Sequence, residues 1–158
     1  TGGGGVTVKY KQVTLSAFFH GRFGQSIVNM ARMNNESMFG SNNQSKAVLR
    51  RWKNEGDNTD IPRALYNEGR NYLGSDRFVE KASFVRLKSM TLSYGFPRKI
   101  CNRFNVNSLS VFVTGYNLFT WTNYTGQDPE VSVKDNLAID TATTPVAKRF
   151  SFGLNMSF

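Results

Sequence analysis

Residues 148–158 alternate almost without a break. Phe150, Phe152, Leu154, Met156 and Phe158 take one parity; Arg149, Ser151, Gly153, Asn155 and Ser157 take the other. Successive side chains of an extended chain point to opposite faces, so the stretch predicts a β-strand with one apolar and one polar side. Its length suits a transmembrane β-strand, which takes roughly 9–11 residues. It equally suits a strand of a soluble β-sandwich.

The same alternation predicts strands at 6–10, 13–23, 83–94 and 108–119. In 13–23, Val13, Leu15, Ala17, Phe19 and Phe23 share the plainer apolar face, and Phe18, His20 and Arg22 lie on a mixed one. In 83–94 the parity slips: Val85 and Leu87 fit one register, and Met90, Leu92 and Tyr94 fit the other. A β-bulge near Lys88 and Ser89 reconciles them. Pro97 cannot donate to a ladder, so Gly95–Arg98 ends that strand. The connections alternate in length. Those around Lys11 and over 95–107 are short, whereas 24–82 and 120–147 are long and polar. Ser45 to Asn54 predicts a short helix, with Val48, Leu49 and Trp52 at helical spacing. Outer-membrane barrels pair short periplasmic turns with long external loops. The expected fold is therefore all-β: an antiparallel transmembrane β-barrel segment of about five strands, with 24–82 and 120–147 as external loops. Five strands cannot close such a barrel, since the smallest use about eight.

Composition alters this picture little. No run of about 18 apolar residues is present, so no transmembrane helix is encoded. Barrel strands hide their lipid face in alternate residues and leave overall hydropathy low. The net charge of +9 and the thirteen Phe fit a chain that meets nucleic acid or phosphate-rich lipid. Arg98, Lys99 and Arg103 cluster in one short connection, where lipid phosphate is the simpler partner. Cys101 and His20 are each the single residue of their type, which leaves no internal disulfide, histidine metal cluster or catalytic triad. Gly2 to Gly5 lack the strand-then-helix setting of a phosphate loop. Asp128, Glu130, Asp135 and Asp140 lack EF-hand spacing, and a rigid turn at Asp128-Pro129 is the expectation there. No catalytic, cofactor or metal residue is assigned.

Four blocks carry a family resemblance. Residues 82–97, ASFVRLKSMTLSYGFP, resemble the "SFLRLKNLTLSYTLP" segment of SusC/RagA-like TonB-dependent transporters. Residues 109–119, LSVFVTGYNLF, resemble their next strand with its "GxNL" ending. Residues 124–132, YTGQDPEVS, are similar to their "YTGYDPEVS" loop, and 145–158 to their closing "P..RTFSFGLNLTF".

The resemblance implies the C-terminal part of a barrel of about 22 strands with a plugged lumen. It implies import of large nutrients such as oligosaccharides or peptides across a bacterial outer membrane of the Bacteroidetes type. It also implies a SusD-like surface lipoprotein as partner, and energy from TonB through an N-terminal part that, like the plug, is not in this sequence. Phe150, Phe152, Leu154, Met156 and Phe158 would form the barrel-closing strand. His20 and Arg22 would contact the lumen or substrate. Trp52, Trp121, Tyr124, Asp128 and Glu130 would contact the partner or substrate from the loops; Tyr66 and Tyr72 are further stacking candidates. Trp121 and Tyr124 would otherwise belong to an aromatic girdle. Outer-membrane lipid and lipopolysaccharide are expected partners, and nucleic acid is not. The competing expectation is a soluble β-rich module that binds carbohydrate or nucleic acid, with its apolar faces forming a core between two sheets.

Overall fold

The structure is a computed structural model that describes residues 1–68, 74–131, 133–134 and 137–158. Tyr72 and Asp135 lie outside the described residues. In chain order the elements are β1 (Gly2–Tyr10), β2 (Val13–Arg22), β3 (Ser26–Asn29), α1 (Met30–Asn35), β4 (Val79–Lys81), β5 (Phe84–Gly95), α2 (Arg98–Arg103), β6 (Ser108–Thr122), β7 (Val133–Lys134), β8 (Leu137–Asp140) and β9 (Arg149–Ser157). They form two units. The first contains 1–24, 83–123 and 145–158, and the second contains 25–82 and 124–144.

The first unit is an antiparallel sheet in the order β1-β2-β5-β6-β9. β1 starts at Gly2, earlier than its alternation shows, because four glycines carry no pattern. A tight turn with Lys11 at φ 51° joins β1 to β2. The predicted bulge is present. Leu87 faces Phe19 and Ser89 faces Phe18, so Lys88 is the extra residue. A second irregularity sits opposite, on β6. Leu87 faces Phe119 and Ser89 faces Tyr116, which leaves Asn117 and Leu118 unpaired. Asn117 takes the left-handed conformation (φ 53°), which Asn tolerates better than most residues. Its Nδ2 donates to the Ala147 carbonyl at 3.2 Å. Leu118 folds back over Gly115, where a Cβ would stand only 2.8 Å from a Leu118 methyl. A side chain at 115 would therefore have to push Leu118 from its present place.

The second unit departs from expectation. Among the described residues the two long segments contain short strands, a helix and 3-10 turns. Four strands form a sheet ordered β4-β3-β8-β7, in which β3 and β8 run parallel. That pair is an exception to the all-antiparallel expectation. Ile27, Ala82 and Tyr124 form its buried core, with Val131 and Ala138 packed against them. The helix expected over Ser45 to Asn54 is a 3-10 helix over Lys46–Arg50, capped by Ser45 Oγ on the Ala47 amide. α1 starts at Asn29, whose Oδ1 accepts from the Arg32 amide at 2.8 Å.

Candidate functional site

Cross-strand pairing sorts the first unit's side chains by face. One face carries Val8, Leu15, Leu92, Val111, Val113 and Leu154, continued on the same rows by Tyr10, Val13, Tyr94, Phe152 and Met156. It is apolar across all five strands, and most of it is exposed: Leu92 is 45 % exposed and Phe152 80 %. The opposite face carries Thr7, Ser16, Thr91, Thr114, Ser151 and Asn155. Its hydroxyls pair across strands, Thr91 with Thr114 at 2.8 Å and Thr7 with Ser16 at 3.0 Å. Thr114 is only 6 % exposed. Water-soluble sheets bury the apolar face; this sheet leaves most of its own exposed.

His20 and Arg22 lie half-buried on the polar face, with the His20 ring centroid 5.9 Å from that of Phe84. Arg86, buried on the same face, donates from Nε to Thr120 Oγ1 at 2.9 Å. Phe150, Phe152, Leu154 and Met156 are exposed on the apolar face, and Phe158 is exposed just past the end of β9. Trp121 lies on that face near the end of β6, 53 % exposed, with Phe119 and Phe19 at centroid distances of 6.1 and 6.4 Å. Lys148 Nζ sits 5.6 Å from the Phe119 ring centre.

The loop candidates are placed differently. Tyr124 offers no ring to solvent. It is 6 % exposed, and its hydroxyl donates to Asp140 Oδ2 at 2.7 Å. Burial and the neighbouring carboxylate push the phenol pKa far up, so it stays a donor. Tyr124 is thus a core residue, not part of a girdle or a stacking platform. Its apolar ring and its Asp140 partner explain why. Asp128 Oδ1 accepts from the Glu130 amide at 2.8 Å, a local turn of the expected kind. Glu130 is half-buried. Trp52 is half-buried beside an open cleft with Thr59, Asp60, Ile61, Pro62 and Arg63, and its amide donates to the Ile61 carbonyl at 2.8 Å. Tyr66 is exposed.

Sequence reasoning missed the polar centre of the second unit. The Glu80 carboxylate accepts from the Thr125 hydroxyl at 2.7 Å, the Thr125 amide at 3.1 Å, Arg32 Nη1 at 3.2 Å and Asn29 Nδ2 at 3.2 Å. Burial alone would raise the Glu80 pKa; these donors outweigh it and hold the carboxyl below its ordinary range. Arg32 also pairs with Glu36 through Nε at 2.9 Å. Asn29, Arg32, Glu36, Arg50, Thr125 and Gln127 line an open polar cleft of about 590 Å³. Nothing local in the sequence marks a lone Glu in a polar stretch as a hub, because its partners come from 45 to 51 residues away. Among the described residues no group of three or more His, Cys, Asp or Glu converges as a metal site. Among the described residues no helix is long and apolar enough to cross a membrane.

No protein-family model matches the chain. It is 30 % identical to the TonB-dependent receptor P3 of Formosa agariphila over 159 residues, which take in 96 % of this chain and 15 % of that receptor. It is 28 % identical to the TonB-dependent receptor P26 of the same organism, over 96 % of this chain and 16 % of that one. Among solved structures it is similar to the RagAB peptide transporter, with a TM-score of 0.81 and 26 % identity over 98 % of this chain and 17 % of that one. The RagAB peptide importer in its open-open state gives 0.79 and 26 % over 99 % and 17 %. The chain thus spans about one sixth of the relatives it matches.

Proposed function

Since this chain is SusC/RagA-like in sequence and in fold along nearly its whole length, we propose that it forms part of the wall of an outer-membrane TonB-dependent importer of large nutrients. The observation that carries this reading is the two-faced sheet of the first unit, apolar and largely exposed on one side, and on the other polar and half-buried along its central strands. Lipid is the solvent that suits such a face, and a water-filled or plugged lumen suits the other. β1, β2 and β9, at 9, 10 and 9 residues, have the length of membrane-spanning strands. The alternative, a soluble binding module, needs the apolar rows packed as a core, and they are exposed.

The chain leaves the sheet for the second unit after Gly24 and after Asn123, at the same end of the strands. Long connections at one end and short ones at the other support placing the second unit outside the cell and the Lys11 and α2 connections in the periplasm. In this reading the substrate is an oligosaccharide or a peptide, as the resemblance implies. A SusD-like surface lipoprotein contacts the external segments, and TonB acts through parts of the receptor that this sequence does not contain. β9 pairs with β6 on one side and with another strand of the same barrel on the other.

Single cysteines in the full-length receptor, with Cys101→Ser, test the wall. Ser151→Cys and Asn155→Cys should react with a water-soluble maleimide. Phe152→Cys and Leu154→Cys should be protected from it and quenched by a lipid-phase probe. The opposite labelling pattern would sink the proposal.

A further inference from the structure

All eleven acidic residues of the chain lie in the second unit, with ten of the twenty Lys and Arg. The sheet unit therefore carries ten positive charges and no carboxylate side chain, and the second unit is nearly neutral. The sheet's cations fall into two groups. Arg22, Arg86, Lys88, Lys148 and Arg149 lie toward the end where the second unit is spliced in. Lys9, Lys11, Arg98, Lys99 and Arg103 lie at the end with the short connections.

That second group is built on an anchored support. Cys101 and Val106 are buried under α2, and the Val106 amide donates to the Cys101 carbonyl at 3.1 Å. Arg98, Lys99 and Arg103 are exposed, with the exposed Ile100 and Phe104 between them. The Gly95 amide donates to the Gln12 carbonyl at 2.8 Å, so the β1–β2 turn and the approach to α2 are tied together. In that turn Lys11 Nζ lies 5.3 Å from the centre of the exposed Tyr10 ring. Tyr94 stacks edge-on against Phe96 at 5.2 Å, on the row that continues into the apolar face.

A surface made for water intersperses charges of both signs. This one mixes cations of one sign with exposed rings and is continuous with the apolar sheet face. Rings of this kind settle at the acyl boundary while ammonium and guanidinium groups reach phosphates above it. A site for free phosphate would converge its donors on one point; these side chains are spread over two connections. Resting on the reading of the sheet as a membrane wall, we propose that α2 and the β1–β2 turn form a docking surface for anionic phospholipid headgroups in the periplasm-facing leaflet.

The test uses the full-length receptor in lipid nanodiscs, with retained lipid read by native mass spectrometry on release. Wild type should retain phosphatidylglycerol over phosphatidylcholine, and salt should weaken the preference. Arg98→Gln/Lys99→Gln/Arg103→Gln should lose about five-fold per charge, on the order of 100-fold together. Arg98→Lys/Arg103→Lys, which keeps the charge, should retain it. Three results overturn the proposal: no preference in wild type, wild-type retention in the triple variant, or displacement of the lipid by millimolar inorganic phosphate. A receptor that enters no bilayer of either lipid would bring down the wall reading as well. One that inserts without preference overturns the docking surface alone.

Discussion

Leu154 sits in the middle of β9 with its side chain on the exposed apolar face, opposite Val111. Replacing it with Arg should destabilise the receptor in bilayers by about 2–4 kcal/mol if the position is near the midplane, and Asn155→Arg on the opposite parity should cost far less. Equilibrium unfolding in lipid vesicles measures both, and equal costs would contradict the lipid assignment. Gly115 makes a different demand. A Val there meets Leu118 at sub-contact distance, so Gly115→Val should cost about 1–3 kcal/mol by overpacking. Paired with Leu118→Ala, much of that cost should vanish. Tyr124→Phe removes a donor from the buried Asp140 carboxylate and should cost about 1–3 kcal/mol. Glu80 supplies the pH dependence. Its folded pKa is depressed, so its contribution is complete above the ordinary carboxylate range, about pH 4, and is lost as pH falls through the lower folded value. The opening free energy around β4 and Thr125, read by hydrogen exchange corrected for the intrinsic rate at each pH, should stay flat from neutral pH to about pH 5 and fall below about pH 4. Glu80→Gln should abolish that step.

At the scale of elements, the two bulges were not equally legible. Lys88 is a single extra residue, so it inverts the parity of everything beyond it, and the break between Leu87 and Met90 is visible in the residues themselves. Asn117 and Leu118 are two extra residues. Val113 and Gly115 on one side, and Phe119 and Trp121 on the other, keep the same parity, so the alternation passes through the irregularity unmarked. Only the pairing partners expose it. The four short strands of the second unit were missed for a related reason: two to four residues cannot display a period. The long segments themselves yield a prediction. If they are external, trypsin added to intact cells should cut within 24–82, with exposed Lys53 as a target. Cutting only after the outer membrane is broken would reverse the topology.

For the chain as a whole, exposed apolar rows and unpaired strand edges at β1 and β9 favour association over a soluble monomer. Residues 1–158 expressed alone without detergent should aggregate or fail to melt cooperatively. A monodisperse monomer with a sharp transition would favour the soluble binding module instead. On the proposed wall reading the charge segregation follows too, because carboxylates beside anionic headgroups would be repelled.

What the sequence by itself determined was the set of sheet strands, their two-faced character, the Lys88 bulge and the family likeness. These depend on period-2 alternation and short local blocks, which survive in any single chain. The tertiary structure alone decided the registers between strands, that Leu118 leaves the ladder to cover Gly115, and that the long segments fold around Ile27, Ala82 and Tyr124. It also decided that Tyr124 is core and that Glu80 gathers Arg32, Asn29 and Thr125. Each of these rests on contacts between residues far apart in the chain, where the energy of a buried hydrogen bond or a close-packed side chain depends on a partner that no local pattern names.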